Sequence, residues 1–417
     1  MLFNSAESKM LKLGFVTATL ELYDFAIYTF FSIYFSGYIF PNNNHLISII
    51  ESYSIFVLGF MIRPFGGMFF SVIGDLYGRK IVLFITVLIM GLASFAISAL
   101  PGYNQVGSLA PMLLLFLRLL QGFAISGELP VLYVYVHESI KQNKGLAFSI
   151  IILGVNAGFL LGAIINQILG QIFSINELES YAWRIPFFIG GILCFLSYFV
   201  RKSLNETEGF RNNFEKVSNP LQVLVKKHMK TLLIATAVAT LMSTMAVITI
   251  MFMPVYLHEV VKIDFHRVNF IMLVAIIFNC VAIIICGYLT LYIRTKSIIS
   301  FLLVAMLFII PAAYYLISLQ WYVVGVLLLT MLQGGAAMLV PYLITNLFPT
   351  NIRLTGVALS YNFAFSVLGG LPPLIISYFI KQHFNVYLVP VVYLELIVIS
   401  CGLSVMAMYK YIINPRN

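Results

Sequence analysis

The chain has 417 residues, of which 61% are hydrophobic and only 9% are charged. An ordinary soluble domain carries about 25% charged residues, so the composition excludes a soluble globular protein and a disordered chain. Long apolar runs also argue against an outer-membrane barrel, whose strands are short and alternate in polarity. The formal net charge of +9 is typical of a membrane protein with basic loops on one side, and we expect no nucleic-acid partner.

Twelve apolar runs follow one another along the chain. Each is close to or above the ~20 residues that a helix needs to cross a bilayer, and a backbone in lipid must satisfy its own hydrogen bonds. The sequence therefore predicts an all-α polytopic membrane protein with twelve transmembrane helices. The predicted spans are 13–40, 47–73, 81–100, 110–134, 145–174, 183–201, 231–257, 268–292, 298–317, 320–346, 354–379 and 384–412.

The longest polar segment, 202–230, divides these runs into two sets of six. We expect an N-terminal six-helix bundle over 1–201, a cytoplasmic linker over 202–230 and a C-terminal six-helix bundle over 231–417.

Basic residues predict the orientation. With twelve spans counted, 18 of the 24 lysines and arginines fall on the side of the N-terminus, including Lys216, Lys410 and Arg416. Since cytoplasmic loops carry the excess of basic residues, we expect both termini in the cytoplasm. The first span contains acidic residues and is too long for a signal-peptide core, so no cleaved signal is predicted.

Ionisable residues inside spans are costly, and they usually face a cavity or a partner. In the first span, ELYDFAIY places Glu21, Asp24 and Tyr28 on one helical face. In the fourth span, RLLQGFAISGE places Arg118, Gln121 and Glu128 on one face in the same way. We interpret the two stripes as the lining of a cavity; the alternative is that Arg118 and an acid form a purely structural pair.

A carboxylate in a cavity of low dielectric constant binds a proton more readily, and a nearby arginine opposes this. A pair that opens and closes is therefore suited to proton coupling. We expect a coupling or cavity role for Glu21, Asp24, Arg118 and Glu128. The candidates for contact with a substrate are Tyr28, Arg63, Gln121, Asn279, Gln333, Tyr361 and Asn362.

The remaining motifs are assigned to packing or to a turn. Gly154, Gly158 and Gly162 form a flat face that allows close helix approach, and the glycines and prolines at 369–373 indicate a bend. The loop after the second span reads GDLYGRK, and in it Asp75 is suited to accept hydrogen bonds from an arginine or a helix N-terminus.

Cysteines and histidines indicate no catalytic centre. The four cysteines lie inside apolar runs, and the six histidines are scattered over predicted loops and span ends. A membrane enzyme would need such groups clustered at one place. We expect no metal, no organic cofactor and no enzymatic activity.

The chain resembles the major facilitator superfamily, and within it the metabolite–proton symporters that include proline/betaine transporters. The matching segments are ELYDFAIY (21–28), RPFGGMFFSVIGDLYGRK (63–80), RLLQGFAISGE (118–128), WRIPFFIGG (183–191), RKSLNETEGF (201–210) and LFPTNIRLTGVALSYN (347–362). The loop differs from the usual motif at Ser71 and Leu76.

The resemblance implies two six-helix bundles that rock between inward-open and outward-open states, driven by a proton gradient. It also implies a bacterial inner membrane and a protein that works as a monomer. Glu21, Asp24, Arg118 and Glu128 occupy motif positions, so a coupling role carries over to them. The loop residues, which the family uses to latch the cytoplasmic side, are Gly74, Asp75, Gly78, Arg79 and Lys80.

The charges inside the predicted spans limit the substrate. More than five residues from either end of a predicted span lie four acids and two arginines, whereas a site for a polyanion favours more cations. We therefore expect symport of a small zwitterion of the proline or betaine kind. The alternative is a carboxylate such as 2-oxoglutarate bound by Arg63 and Arg118, and the non-transport alternative is a solute sensor.

Overall fold

The structure is a computed structural model, and it describes residues 2–41, 45–202, 205–211 and 217–409. In these ranges the regular structure is helical and no residue lies in a strand. A backbone in lipid must satisfy its own hydrogen bonds, which a helix does within one segment. Lys216, Lys410 and Arg416, which contribute to the predicted orientation, lie outside the described residues, as do parts of the predicted linker 202–230.

The described chain divides into two units. The first unit comprises Asn4–Ser139 and Leu153–Ser218, and the second comprises Met1–Phe3, Ile140–Ile152 and Asn219–Asn417, as far as these residues are described.

The helices of the first unit are α1 (Ser5–Ile39), α2 (His45–Met61), α3 (Arg63–Tyr77), α4 (Arg79–Ser98), α5 (Tyr103–Val106), α6 (Leu109–Ser139), most of α7 (Lys144–Ile172), α8 (Ile175–Glu177), a π-helical turn (Leu178–Ala182), α9 (Arg184–Lys202) and α10 (Glu208–Arg211).

The helices of the second unit are the start of α7, then α11 (Pro220–Lys227), α12 (Met229–Ala246), a π-helical turn (Val247–Phe252), α13 (Met253–Val255), a second π-helical turn (Tyr256–Val260), α14 (Phe265–Leu289), α15 (Thr295–Ser318), α16 (Tyr322–Asn346), α17 (Arg353–Phe363), a third π-helical turn (Ala364–Leu368), α18 (Leu371–Lys381) and α19 (Leu388–Met408).

A helix lies at each of the twelve predicted spans. Among the described residues, ten helices are long and apolar enough to cross a membrane, and α8 and the π-helical turn joined to α9 make an eleventh, bent by 47°. The 35-residue α1 is also long enough to cross, but its polar face lowers its hydropathy. The structure thus confirms an all-helical polytopic membrane protein.

Pro64 explains why the second predicted span consists of two helices. Proline has no N–H, and its ring clashes with the carbonyl four residues earlier. The helix accordingly breaks at Ile62, and α3 begins at Arg63 with proline in its first turn. The break places the Arg63 guanidinium 5.2 Å from the ring centre of Phe60.

Three glycines of α7 allow it to pack closely on α1. A Cβ atom at Gly154 would lie 2.5 Å from the carbonyl oxygen of Phe15, and one at Gly162 would lie 2.8 Å from Cβ of Ala26. At Gly158 the added atom would collide with the carbonyl oxygen of Thr19. The predicted flat face is therefore a helix-packing surface, and it holds the helix that carries Glu21 and Asp24.

Candidate functional site

Two acidic residues one turn apart in α1 face the interior of the first unit. Glu21 is 3% exposed and Asp24 is 1% exposed. The spacing of three residues places them on one face of the helix, as predicted. They differ in their surroundings, however, because among the described residues Asp24 has hydrogen-bond donors and Glu21 has none.

Asp24 is held by two neutral donors from two other helices. Gln121 of α6 donates from Nε2 to Oδ2 of Asp24 at 2.5 Å, and the Ser94 hydroxyl of α4 donates to Oδ1. Gln121 also donates to the Ser94 oxygen at 2.9 Å. Hydrogen bonds to the ionised form stabilise that form, so this triad is suited to hold a carboxylate in a fixed orientation.

Arg118 of α6 lies against an aromatic ring. Its guanidinium carbon is 3.5 Å from the ring centre of Tyr28, and the Tyr28 hydroxyl donates to the carbonyl oxygen of Ser52 at 2.8 Å. A buried arginine over an aromatic face gains a cation–π interaction. Nε and Nη2 of Arg118 have no hydrogen-bond partner among the described residues, which leaves two donors for a bound group.

A small cavity of about 30 Å³ lies between these groups. Its lining combines opposite charges, one amide and an aromatic wall. The lining residues are Asp24, Phe25, Phe56, Gly59, Phe60, Arg63, Met90, Arg118, Gln121, Gly122 and Ile125. The structure thus brings together Asp24, Arg63, Arg118 and Gln121 from the predicted set.

Glu128 forms a buried ion pair with an arginine of another helix. Its Oε1 accepts a hydrogen bond from Nη2 of Arg201 in α9, and both side chains are 2% exposed. Arg201 also donates from Nε to the Ser197 hydroxyl at 3.2 Å and from Nη1 to the carbonyl oxygen of Leu83. Arg201 is the last residue of the predicted span 183–201; in the structure α9 continues to Lys202, and Arg201 is buried.

Glu21 lies near this ion pair but has no donor. Neither of its carboxyl oxygens has a hydrogen-bond partner among the described residues. The charged groups that interact with it electrostatically are Glu128, Arg63 and Arg201. A buried carboxylate without a donor is unfavourable by several kcal/mol. Glu21 therefore lacks the stabilisation that hydrogen bonds give to the carboxylates of Asp24 and Glu128.

The predicted loop motif is a buried network in the first unit. Arg79 is fully buried and lies 3.2 Å from Asp75 and 3.1 Å from Glu138 of α6. Its Nη1 donates to the carbonyl oxygen of Gly74 at 2.9 Å. Gly78 has φ 117°, a backbone angle that side chains other than glycine rarely adopt.

Lys80 of the same motif contacts the segment that follows α9. Its backbone N–H donates to Oε2 of Glu206 at 3.1 Å, and its Nζ donates to the carbonyl oxygen of Lys202 at 3.2 Å. The GDLYGRK loop is thereby tied to α6 and to the residues after α9.

The polar candidates of the second unit fall into two places. Asn279 of α14 donates to the carbonyl oxygen of Thr330 at 2.7 Å and to the side-chain oxygen of Gln333 in α16. Tyr361 is buried and lies 4.5 Å from Phe365, centre to centre. Asn362 donates to the carbonyl oxygen of Ala358 in its own helix at 2.9 Å.

Sequence reasoning missed Ser94, Glu138 and Arg201. Ser94 is a neutral residue in an apolar run, and nothing in its spacing singles it out. Glu138 and Arg201 stand at predicted span ends, where exposed charges are common. One signal could have found Glu138 and Arg201. A buried charge requires a partner of opposite charge, and Arg79 and Glu128 each needed one.

Relatives and solved structures of known function resemble this chain. It is 28% identical over 398 residues to the glycine betaine/proline/ectoine/pipecolic acid transporter OusA of Dickeya dadantii, with 91% of this chain and 79% of that protein covered. It is 27% identical over 400 residues to the proline/betaine transporter of Salmonella typhimurium, with the same coverage of 91% and 79%.

The fold matches solved transporters. The proton:xylose symporter XylE superposes with a TM-score of 0.78 at 12% identity, with 98% of this chain and 96% of that chain covered. The human organic anion transporter MFSD10 gives 0.68 at 12% identity, with coverage of 96% and 100%. The family model of the Major Facilitator Superfamily matches residues 22–373. The chain is therefore a membrane transport protein that belongs to the Major Facilitator Superfamily.

Proposed function

We propose that this protein is a secondary active transporter that moves a small zwitterionic solute of the proline or betaine kind together with protons, by alternating access. The observation that carries the proposal is the cavity in the first unit, which is lined by Asp24, by Arg118 and by phenylalanine rings. We propose that the protein is a monomer in the bacterial plasma membrane, with both termini in the cytoplasm. The distribution of basic residues supports this orientation of the termini.

Arg118 supplies the site for the carboxylate of the solute. Two of its nitrogens have no partner among the described residues, and a guanidinium fork matches the geometry of a carboxylate. The Tyr28 ring at 3.5 Å keeps the guanidinium in place without using its N–H groups. A carboxylate that enters the cavity therefore meets free, oriented donors.

Asp24 and the aromatic wall supply the site for the ammonium end. Phe25 lies 4.7 Å from Phe56 and 5.2 Å from Phe60, centre to centre, and all three rings line the cavity. Aromatic faces attract ammonium groups, including quaternary ones. The negative charge of Asp24 adds to this attraction, since its hydrogen bonds come from neutral donors.

The cavity of about 30 Å³ has room for one or two water molecules and is too small for proline or betaine. A solute therefore requires the lining helices to move apart, as alternating access implies. The one-residue interruption at Ile62, between α2 and α3, lies beside the cavity residues Phe60 and Arg63, and it is the position where we expect the lining to bend.

The relatives support the solute class, since two of them are named as transporters of proline and betaine. The proton as coupling ion is supported by the ionisable groups buried in the same unit. A charged side chain inside a membrane protein marks an ion pathway or a proton relay in many transporters, and here Glu21, Asp24 and Glu128 are all buried.

Purified protein in proteoliposomes tests the proposal. With an imposed pH gradient, labelled glycine betaine and proline are expected to accumulate, and a protonophore is expected to abolish the accumulation. If neither solute accumulates, the proposal is wrong. Binding of either solute without gradient-driven uptake would indicate a sensor instead.

A carboxylate such as 2-oxoglutarate is the second candidate, because Arg63 lines the same cavity. The variants Arg63→Gln and Arg118→Gln separate the two candidates. For a zwitterion, loss of Arg118 is expected to abolish uptake while loss of Arg63 changes it only a few-fold. Equal loss in both variants, with uptake of 2-oxoglutarate by the unmodified protein, would favour the dicarboxylate.

A further inference from the structure

Glu21 stands apart from the other intramembrane acids of the first unit. Asp24 accepts hydrogen bonds from Ser94 and Gln121, and Glu128 accepts one from Arg201. Glu21 is just as buried, yet both of its oxygens are without a donor among the described residues.

Neither of the two arginines that interact electrostatically with Glu21 donates a hydrogen bond to it. Arg201 of α9 is bonded to Glu128, to Ser197 and to the carbonyl oxygen of Leu83, and Glu128 itself is an acid that repels a second negative charge. Arg63 of α3 lies over the ring of Phe60.

The other ionisable groups near Glu21 add no positive charge. Cys194 of α9 presents a thiol, and Asp24 on the same helix is a further acid. Apart from Arg63 and Arg201, the groups named here bring no positive charge to Glu21.

An ionised Glu21 beside Glu128 would have no hydrogen-bond donor among the described residues. The effective penalty for an ion in a protein interior is several kcal/mol, whereas a protonated carboxyl is neutral. We propose that Glu21 is the residue that carries the transported proton, while Asp24 stays ionised and faces the solute. This inference rests on the proposed function and assigns its coupling ion to one side chain.

The step consists of proton binding alone. The Glu21 carboxylate takes one proton from water on one side of the membrane, and the neutral carboxyl releases it to water on the other side after the helices have moved. Arg201 donates its described hydrogen bonds to Glu128, Ser197 and the carbonyl oxygen of Leu83, and none to Glu21. In the arrangement of the first unit described here, the lack of a donor favours the neutral form of Glu21.

The variant Glu21→Gln tests the proposal, since glutamine has the shape of a protonated glutamate and binds no proton. In proteoliposomes, exchange of labelled glycine betaine across the membrane is expected to stay within about threefold of the unmodified protein. Accumulation driven by a pH gradient is expected to be lost, and the pH dependence of exchange is expected to flatten.

The matched control is Glu395→Gln in α19, an acid that is partly exposed in the second unit. It is expected to accumulate the solute as the unmodified protein does. The variant Glu21→Asp, which keeps a titratable group, is expected to retain accumulation with a shifted pH profile, and it serves if Glu21→Gln fails to fold.

Two outcomes overturn the assignment. The first is that Glu21→Gln still accumulates the solute and takes up protons. The second is that a folded Glu21→Gln protein loses both exchange and accumulation, which would show a structural or solute-binding role. Failure of the unmodified protein to accumulate any solute would contradict the proposed function instead, so the two failures are distinguishable.

Discussion

Gln121 donates to Asp24 at 2.5 Å across 97 residues of sequence, and this bond joins α6 to α1 at the cavity. The Ser94 hydroxyl completes a triad with contributions from three helices. Because its donors are neutral, the triad orients the Asp24 charge without cancelling it.

Asp24→Asn is expected to lower uptake of glycine betaine at least tenfold. The change removes the negative charge that faces the ammonium end, and hydrogen bonds to charged groups are worth about 1.5–3 kcal/mol, where 1.4 kcal/mol is a factor of ten. Initial uptake rates and binding by calorimetry measure the effect. Ser98→Ala is the control, since the Ser98 hydroxyl donates to the carbonyl oxygen of Phe95 in its own helix at 2.7 Å and does not belong to the triad. Unchanged uptake in Asp24→Asn would contradict the site.

Arg201→Met is expected to destabilise the protein strongly. Removal of one partner of a buried ion pair costs about 3–5 kcal/mol, because Glu128 is left charged and unpaired. Thermal unfolding in detergent should show a Tm lower by roughly 5–10 °C. Adding Glu128→Gln should restore much of this loss.

The exposed Lys226 offers the control for that experiment, and Lys226→Met should leave Tm unchanged. An Arg201→Met protein as stable as its parent would show that the pair does not hold α6 to α9.

Gly158→Val is expected to disrupt the packing of α7 on α1. The new side chain would collide with the backbone of α1 at Thr19, and overpacking of a tight contact costs about 1–3 kcal/mol. Yield of folded protein and Tm report the effect. Gly170→Val in the same helix meets nothing within 4 Å and should be tolerated; equal behaviour of the two variants would refute the contact.

Glu138→Gln is expected to loosen the GDLYGRK loop. Arg79 is fully buried and has two described carboxylate partners. When Glu138 is neutral, the positive charge of Arg79 is balanced by Asp75 alone, at 3.2 Å. Hydrogen exchange of the amides at 74–80 should become faster by a factor of ten or more, about 1.4 kcal/mol. Glu179→Gln, at an exposed position, is the control and should leave this exchange unchanged.

The sequence alone determined the class of the protein and the position of its helices. Runs of about 20 apolar residues have one stable form in lipid, and every predicted span corresponds to a helix. Helical periodicity also showed that Glu21, Asp24 and Arg118 lie on polar faces. These conclusions depend on properties local to one helix, which neighbouring residues of the chain encode.

Tertiary structure alone decided which groups meet. Periodicity gives the face of a helix but neither its neighbour nor its depth. The sequence therefore indicated no partner for Arg201, the last residue of a predicted span, although it is buried against Glu128. The same limit made Glu21 and Asp24 equivalent in sequence, one turn apart on the same face. Donors from α4 and α6 reach Asp24 and, among the described residues, not Glu21. A hydrogen bond requires contact within about 3 Å. The packing of three helices therefore gives different surroundings to two acids that the sequence presents alike.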